Sequence, residues 1–215
     1  MSGLDFLAIL RGAATTVSLS LSGIALGVPL GLALALVRWS RVPILSPIIA
    51  VYVSIMRATP TVTLALLIFF ALPNAGIEID PVPAAILTLM LNTAAFNCEI
   101  WRAGLLDFPR EQLDASVSFG MGLRLRFRRI ILPQIARTCL PALVNEMSLL
   151  IKASPAVAVV GIVDATRAAV RVGADTYRPL PPLLVALVIY VAIVAIFVVA
   201  QRRFEHRGFA AVATA

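Results

Sequence analysis

Five polar or charged side chains stand inside stretches of sequence that are otherwise apolar: Arg57, Asn97, Glu99, Glu146 and Lys152. Ionisable groups in such segments commonly face a water-filled path or pair with one another. Glu146 could bind the ammonium or cationic side chain of a small solute, while Lys152 or Arg57 binds the solute's carboxylate. The alternative is a structural ion pair between Glu146 and either Lys152 or Arg102. We take these five residues as candidates for a substrate pathway.

Residues for nucleophilic, metal or nucleotide chemistry are scarce. The only histidine is His206, so the metal-binding motif H-E-x-x-H cannot form. The only lysine, Lys152, follows Ile151, so the G-K-[ST] of a phosphate-binding loop is missing. An intramembrane enzyme would need a catalytic constellation that these residues do not supply. We expect no cofactor or metal on this chain, and any ATP and Mg²⁺ would be held by another chain.

The composition is that of an integral membrane protein. Hydrophobic residues make up 60% of the 215 residues and charged residues 13%, whereas soluble domains average about 25% charged. The mean hydropathy is +0.98. The net charge of +7 comes from arginines between apolar segments, so it does not indicate a nucleic-acid partner. Cys98 and Cys139 lie in or beside apolar stretches, and we expect them to be reduced core residues.

Five segments are long and apolar enough for membrane helices. They cover residues 13–37, from after Pro47 to near Leu72, 82–106, 133–163 and 180–200. Arg57 and Pro60 interrupt the second segment, and Pro141 and Pro155 are expected to break the fourth. The prediction is an all-α integral membrane protein with five transmembrane helices.

The chain is expected to form one domain over residues 1–215, with a disordered tail from about residue 208. The stretch after Arg11 is too long for the core of a cleavable signal peptide, so we expect it to remain as the first helix. A protein of this kind would be a multi-pass component of the lipid bilayer.

The arginines predict the orientation of the spans, because cytoplasmic loops carry an excess of Lys and Arg. One set of loops holds Arg38, Arg41, Arg110, Arg124, Arg126, Arg128, Arg129, Arg137, Arg202, Arg203 and Arg207. The opposite set holds only Arg11, Arg167, Arg171 and Arg178. Five crossings then place the N-terminus outside and the C-terminus in the cytoplasm.

A long polar loop, about residues 107–133, connects the third and fourth segments. Long loops in compact domains are usually functional. Asp114 could cap or begin a short helix there, and Gly120 could end it, because glycine tolerates the left-handed conformation of a helix C-terminus. The loop is therefore interpreted as a short cytoplasmic helix followed by a basic turn into the fourth segment.

This loop resembles the cytoplasmic coupling motif of ATP-binding-cassette (ABC) importer permeases, E-A-A, three residues, G, nine residues, I-x-L-P. Asp114, Ala115 and Ser116 occupy the E-A-A positions, and Gly120 follows at the motif's spacing. Ile130, Leu132 and Pro133 complete the motif after nine more residues. Asp in place of Glu and Ser in place of the second Ala are the two departures, and both keep the helix small and polar.

Other stretches resemble the polar amino acid (His/Arg/Gln/Glu-type) branch of that family. Residues 57–60, R-A-T-P, are similar to its R-G-T-P motif, and residues 99–104, E-I-W-R-A-G, to its E-x-x-R-(G/A) stretch. Asn145-Glu146 and Lys152-Ala153-Ser154 are similar to its N-(S/E)…K-x-(T/S)-S-L region, although Pro155 replaces the usual Leu.

The resemblance implies a type I (MetI-like) permease fold in the bacterial cytoplasmic (inner) membrane, with a polar amino acid as cargo. It also implies a second permease chain as a homo- or heterodimer partner. Two ABC ATPase subunits would dock on the coupling helices, and an extracytoplasmic solute-binding protein would deliver the cargo. An ABC permease for another solute, such as methionine or an oxyanion, and a non-ABC channel or structural membrane protein are the alternatives.

Overall fold

The computed structural model describes residues 2–213 of the chain, with side chains described for residues 2–199 and 202. All regular structure in this range is helical. The helices are α1 Gly3–Trp39, α2 Leu45–Ala58, α3 Thr61–Asn74, α4 Pro81–Leu106, α5 Arg110–Ser118, α6 Leu123–Arg126, α7 Leu132–Ala153, α8 Ala165–Thr176 and α9 Leu180–Ala213. A π-helical turn, Phe127–Ile131, leads into α7, and a 3₁₀ segment, Ser154–Val160, follows it.

Four helical stretches are long and apolar enough to cross a membrane: α1, α4, Leu123–Val160 and the Leu180–Val199 part of α9. The pair formed by α2 and α3 passes the same test together but is bent by 113° at its break. Each helix of the pair has 14 residues, about 21 Å, so neither alone spans a hydrocarbon core of about 30 Å. The predicted five crossings are present if this bent pair counts as one.

The break between α2 and α3 follows from the sequence around Pro60. A residue before proline avoids the helical conformation, and Thr59 is extended with φ −88° and ψ 127°. The hydroxyl of Thr59 donates a hydrogen bond back to Ile55 O at 2.8 Å. Pro60 then caps the start of α3. The interruption that the sequence predicts at Pro60 is therefore confirmed as a sharp bend.

Pro141 does not break the fourth segment, contrary to the prediction. It lies inside the continuous helix α7, and membrane helices tolerate proline where neighbouring groups satisfy the freed backbone. The helix ends at Ala153, where the 3₁₀ segment containing Pro155 begins. Gly161, at φ +101°, ends that segment in the left-handed region that favours glycine.

Two further boundaries differ from the sequence predictions. Helix α1 begins at Gly3, ten residues before the predicted start, behind a Ser2 cap that accepts a hydrogen bond from Asp5 N. Helix α9 is continuous to Ala213, so residues 208–213 are helical where a disordered tail was expected. Residues 214 and 215 of that predicted tail lie outside the described residues.

Helix α8 is an element for which the sequence analysis gave no prediction. Asp164, itself buried, caps its first turn by accepting hydrogen bonds from the backbone N–H groups of Thr166 and Arg167. The hydroxyl of Tyr190 in α9 donates to the same carboxylate at 3.0 Å. These contacts fix α8 between the 3₁₀ segment and α9.

The two long helices α1 and α4 pack closely against each other. Gly23, Gly27 and Gly31 lie at four-residue intervals along α1, and a Cβ at each would clash with α4. Four-residue spacing puts all three glycines on one helix face. The small residues therefore let the two backbones approach closely, as is common where membrane helices pack.

Candidate functional site

Helix α5 occupies the loop in which the sequence predicts a coupling helix. It begins at Arg110 behind Pro109, so Asp114 lies in its middle and does not cap it, contrary to the prediction. Proline before the first helical turn costs no hydrogen bond, which explains the earlier start. Asp114 and Ala115 are both exposed.

The other residues of the motif divide between the surface and the core. Ser116 is only 3% exposed and turns inward, where its hydroxyl donates to Leu113 O at 2.6 Å. Ile130 and Leu132 are partly buried and, together with Leu113, pack on a core cluster that includes residues of α4 and α7. Ile130 and Leu132 thus anchor the loop to the helix bundle, whereas Pro133 is exposed at the start of α7.

Gly120 ends the segment as predicted, at φ +70°. Its N–H donates to Val117 O at 2.8 Å, and the N–H of Met121 donates to Ser116 O at 3.1 Å. These two bonds form a Schellman motif, which needs a left-handed residue at this position. A side-chain bond from Gln134 Nε2 in α7 to Gln112 Oε1 in α5, 2.8 Å long, braces the helix further.

Phe119, beside Gly120, is a candidate residue that sequence reasoning missed. Its side chain is 86% exposed, and Val117 is 55% exposed on the same short element. Exposed apolar groups that flank an exposed carboxylate are typical of a protein-binding surface. The available signal was a phenylalanine inside a polar loop. We name the exposed set Asp114, Ala115, Val117 and Phe119 the α5 surface.

Glu146 is 6% exposed and lies in a hydrogen-bonded cluster with residues of α4. The hydroxyl of Thr93 lies 2.7 Å from Oε1 and 2.6 Å from Oε2 of Glu146. Asn97 Nδ2 donates to Oε2 at 2.9 Å and to Thr93 O at 2.8 Å. Thr93 was missed by sequence reasoning because a threonine in an apolar stretch carries no distinctive signal.

The ion-pair interpretation of Glu146 is wrong. Across the described side chains, both ion pairs involve Glu99, not Glu146. Lys152 is six residues beyond Glu146, on another face of the helix, and is exposed. Arg102 is bound to Glu99 instead. Among the described side chains, the carboxylate of Glu146 is therefore held by neutral donors only.

Glu146 also lines a cavity of about 200 Å³. The cavity lies against the break between α2 and α3, because Thr59, Pro60 and Thr61 form part of its wall. Its other lining residues belong to α4 and α7: Asn92, Phe96, Leu149, Leu150 and Ala153. Irregular backbone at membrane depth is tolerated where it lines a cavity. The first N–H groups of α3 have no partner within their own helix, so they can serve a solute in this space.

The five predicted pathway residues are only partly brought together. Glu146 and Asn97 share one cluster, and the guanidinium of Arg57 lies 5.4 Å from the centroid of Phe96, which lines the cavity. Lys152 instead lines an apolar groove against α9. Glu99 binds both Arg38 of α1 and Arg102 of α4, with Arg102 Nη2 at 2.6 Å. Lys152 and Glu99 thus stand apart from the cavity.

Metal ligation has no support in the described part of the chain, where no three His, Cys, Asp or Glu side chains come together in a possible site. What the cluster offers is hydrogen-bond acceptors. Asn97 Oδ1 is buried and accepts no hydrogen bond from the described residues. A carboxylate and a free amide oxygen can bind a positively charged hydrogen-bond donor.

Known proteins similar to this chain share its family and length. Residues 27–208 match the family described as "Binding-protein-dependent transport system inner membrane component". The chain is 35% identical to the arginine transport system permease protein of Bacillus subtilis, with 93% of this chain and 91% of that protein covered. It is 31% identical to the glutamine transport system permease protein of Escherichia coli, with 93% and 92% covered. It is 34% identical to the nopaline transport system permease protein of Agrobacterium fabrum, with 88% and 83% covered.

Solved structures support the same assignment. The structure of an amino acid ABC transporter with histidines matches with a TM-score of 0.85 and 30% identity, covering 96% of this chain and 99% of that chain. An inward-facing methionine ABC transporter matches with a TM-score of 0.76 at 21% identity, with the same coverage, and shows the fold alone. The predicted all-α, type I (MetI-like) permease fold is confirmed. The chain belongs to the family of inner-membrane components of binding-protein-dependent transport systems.

Proposed function

We propose that this chain is the transmembrane subunit of an ABC importer and forms the translocation pathway for a polar amino acid. The observation that carries the proposal is the α5 surface, a short helix exposed between two membrane helices and anchored to both through the core. The named cargoes of the similar permeases, arginine, glutamine and nopaline, favour an amino acid or a derivative of one. A second permease chain, identical or related, completes the pathway.

The α5 surface is the docking site of a separate ATPase subunit. A short helix seated in a groove of that partner moves as a rigid body when the ATPase pair closes around ATP. Small Ala115 permits close approach, and Asp114 pairs with a basic group of the partner. ATP and Mg²⁺ are held by the ATPase, because this sequence has no phosphate-binding loop.

The cavity beside Glu146 receives the cationic end of the cargo. Glu146 supplies a carboxylate without a counter-charge among the described residues, and the buried Asn97 donates to that carboxylate and orients it. Arg57, beside Phe96, is available for the carboxylate of the cargo. A charge-assisted contact in a partly dry cavity gives selectivity without tight binding.

The orientation we propose has the N-terminus outside and the C-terminus in the cytoplasm. The arginine-rich loops, including that of α5, then lie on the cytoplasmic side. Helix α8 and the loop between α3 and α4 lie on the other side, where a solute-binding protein delivers the cargo.

Co-purification tests this proposal. We expect the tagged chain, expressed with its candidate ATPase, to isolate as a stable complex. In proteoliposomes that complex should hydrolyse ATP faster when a cargo-loaded binding protein is present, and it should take up labelled L-arginine or L-glutamine. A chain that isolates without any ATPase, or that conducts solutes without ATP, would show the proposal to be wrong and would favour a channel.

A further inference from the structure

Three glycines of α1 press against consecutive turns of α4. A Cβ on Gly23 would lie 2.8 Å from Leu89 Cβ, and a Cβ on Gly31 would lie 2.7 Å from Asn97 Cβ. The tightest approach is at Gly27, where a Cβ would lie 1.9 Å from Thr93 Cγ2. Real Cβ atoms are essentially never closer than 3.0 Å to a neighbour, so no larger residue fits at these positions without moving α4.

Two of the three contacted residues are the donors that hold Glu146. Gly27 faces Thr93, and Gly31 faces Asn97, whereas Gly23 faces the apolar Leu89. Thr93 and Asn97 have no exposed surface. They are confined between α1 on one side and the Glu146 carboxylate on the other, so a displacement of either donor changes its hydrogen bond to Glu146.

Glycine at these three positions lowers the local stability of α1. Alanine is the better helix former, and glycine in a helix interior is destabilising. Close packing of α1 on α4 accounts for the glycines in general. At Gly27 and Gly31, however, the close approach also fixes the position of two hydrogen-bond donors. Donors fixed within a fraction of an ångström are what a preorganised carboxylate needs.

We propose that Gly27 and Gly31 are positioning residues for the Glu146 carboxylate: by letting α1 approach α4, they place Thr93 and Asn97 so that these donors orient Glu146 toward the cavity. The inference rests on the proposed role of Glu146 in cargo binding. It assigns to α1, which is not among the cavity-lining elements, a share in the affinity for a cationic cargo.

The test measures the affinity of the purified permease–ATPase complex for L-arginine by titration calorimetry, without binding protein. Gly27→Ala adds a methyl group that collides with Thr93 Cγ2. We expect it to weaken arginine binding by about tenfold, the effect of one lost charge-assisted hydrogen bond. Adding Thr93→Ser removes that Cγ2 and keeps the hydroxyl, so the double variant should recover part of the affinity. Two backbone atoms stay close to the added methyl group, Met90 O at 2.9 Å and Ala94 N at 3.3 Å, so the recovery is not complete.

Gly23→Ala and Gly31→Ala are the matched pair, since their added Cβ atoms would lie 2.8 Å from Leu89 Cβ and 2.7 Å from Asn97 Cβ. Both should lower the thermal midpoint of the complex, but only Gly31→Ala should weaken arginine binding. Equal loss of affinity in both variants, or a loss in Gly27→Ala that Thr93→Ser does not reduce, would overturn the positioning role. If Gly27→Ala fails to assemble, Thr93→Val removes the donor at constant shape, and unchanged arginine affinity there would overturn it as well. Glu146→Gln separates the two proposals: wild-type affinity in that variant rejects the proposed cargo site itself.

Discussion

Glu146 is the residue on which the proposed selectivity depends. Its carboxylate lies about 20 Å along α7 from Leu132, and Thr93 lies at a similar distance along α4 from Leu106, so donor and acceptor share one depth. Neutral donors satisfy the carboxylate without cancelling its charge. A cationic group entering the cavity therefore meets a carboxylate that no cation among the described residues neutralises.

We expect Glu146→Gln to lower L-arginine uptake by at least about tenfold, because hydrogen bonds to charged groups contribute about 1.5–3 kcal/mol. The measurement is ATP-driven uptake in proteoliposomes, with assembly checked by size-exclusion chromatography and ATPase activity stimulated by the binding protein. Glu78→Gln, an exposed acid in the loop between α3 and α4, serves as the control. Uptake at the wild-type rate would remove Glu146 from the path.

The ion pairs of Glu99 favour a structural role over its predicted place in the pathway. Glu99 joins Arg38 of α1 to Arg102 of α4, and all three side chains are partly buried. Removing one partner of such a group leaves charges that are costly to bury. Glu99→Gln should therefore lower the free energy of unfolding by about 1–2 kcal/mol while the arginine affinity of assembled complex stays unchanged.

Chemical denaturation of the purified complex, followed by tryptophan fluorescence, measures this effect of Glu99→Gln. Glu111→Gln is the comparison, because Glu111 is an exposed residue of α5 without an ion pair in the described structure. Equal stability of the two variants would contradict a stabilising role for the Glu99 cluster, and a specific loss of arginine affinity would return Glu99 to the pathway.

At the scale of elements, the helix that carries the α5 surface is anchored to the helix bundle. Leu113 packs with Ile130 and Leu132 on the core cluster, while Phe119 projects outward on the opposite side. The helix ends in a Schellman motif that requires the left-handed conformation of Gly120. We therefore expect movement of a bound partner to be transferred to α4 and α7, the two helices that carry the Glu146 cluster.

We expect Gly120→Val to uncouple ATP hydrolysis from uptake, because a β-branched residue resists a φ of +70° and would displace Phe119. Asp114→Arg should uncouple as well, by reversing a charge on the α5 surface. Uptake and stimulated ATPase activity of assembled complexes measure both effects. Gly122→Val is the matched control, since the φ of Gly122 is −63° and a Cβ there would meet nothing within 4 Å. It should leave coupling unchanged. Wild-type coupling in Gly120→Val would reject the role of this helix end.

Helix bounds could be predicted from the sequence where neighbouring residues alone determine them. The bounds of α4 and the end at Gly120 followed from apolar length and from glycine's freedom at positive φ. Proline was less informative: Pro60 ends a helix and Pro141 does not. The two prolines differ in their surroundings. Pro60 lines a cavity whose other walls come from α4 and α7, which are distant in sequence, so the sequence around each proline does not reveal the difference.

The candidate site was predictable to a similar extent. Glu146 and Asn97 could be found because polar residues in apolar segments are rare. Their partner Thr93 could not, since its role depends on α4 meeting α7. Lys152 was included for its charge and for its place in the family's motif. It lines the groove against α9 instead of the cavity, and this depends on the helix register near the 3₁₀ segment that follows α7.

At the scale of the whole molecule, the bent pair of α2 and α3 decides the topology. If the pair crosses once, reporter fusions after Arg41 and after Arg203 should report the cytoplasm, and fusions after Gly76 and after Thr176 the outside. If the pair instead re-enters on the same side, the fusions after Arg41 and Gly76 will agree. Finding both ends of the chain on one side would show that five crossings are wrong.

The order in which the helices are synthesised gives the Glu146 cluster a consequence for biogenesis. A carboxylate at the centre of an inserting helix costs about 2.5–3.5 kcal/mol on insertion scales. Helices α1 and α4 both leave the ribosome before α7. We expect their close packing at Gly27 and Gly31 to place Thr93 and Asn97 before α7 is made. In that order, α7 enters the membrane alongside donors that accommodate the charge of Glu146.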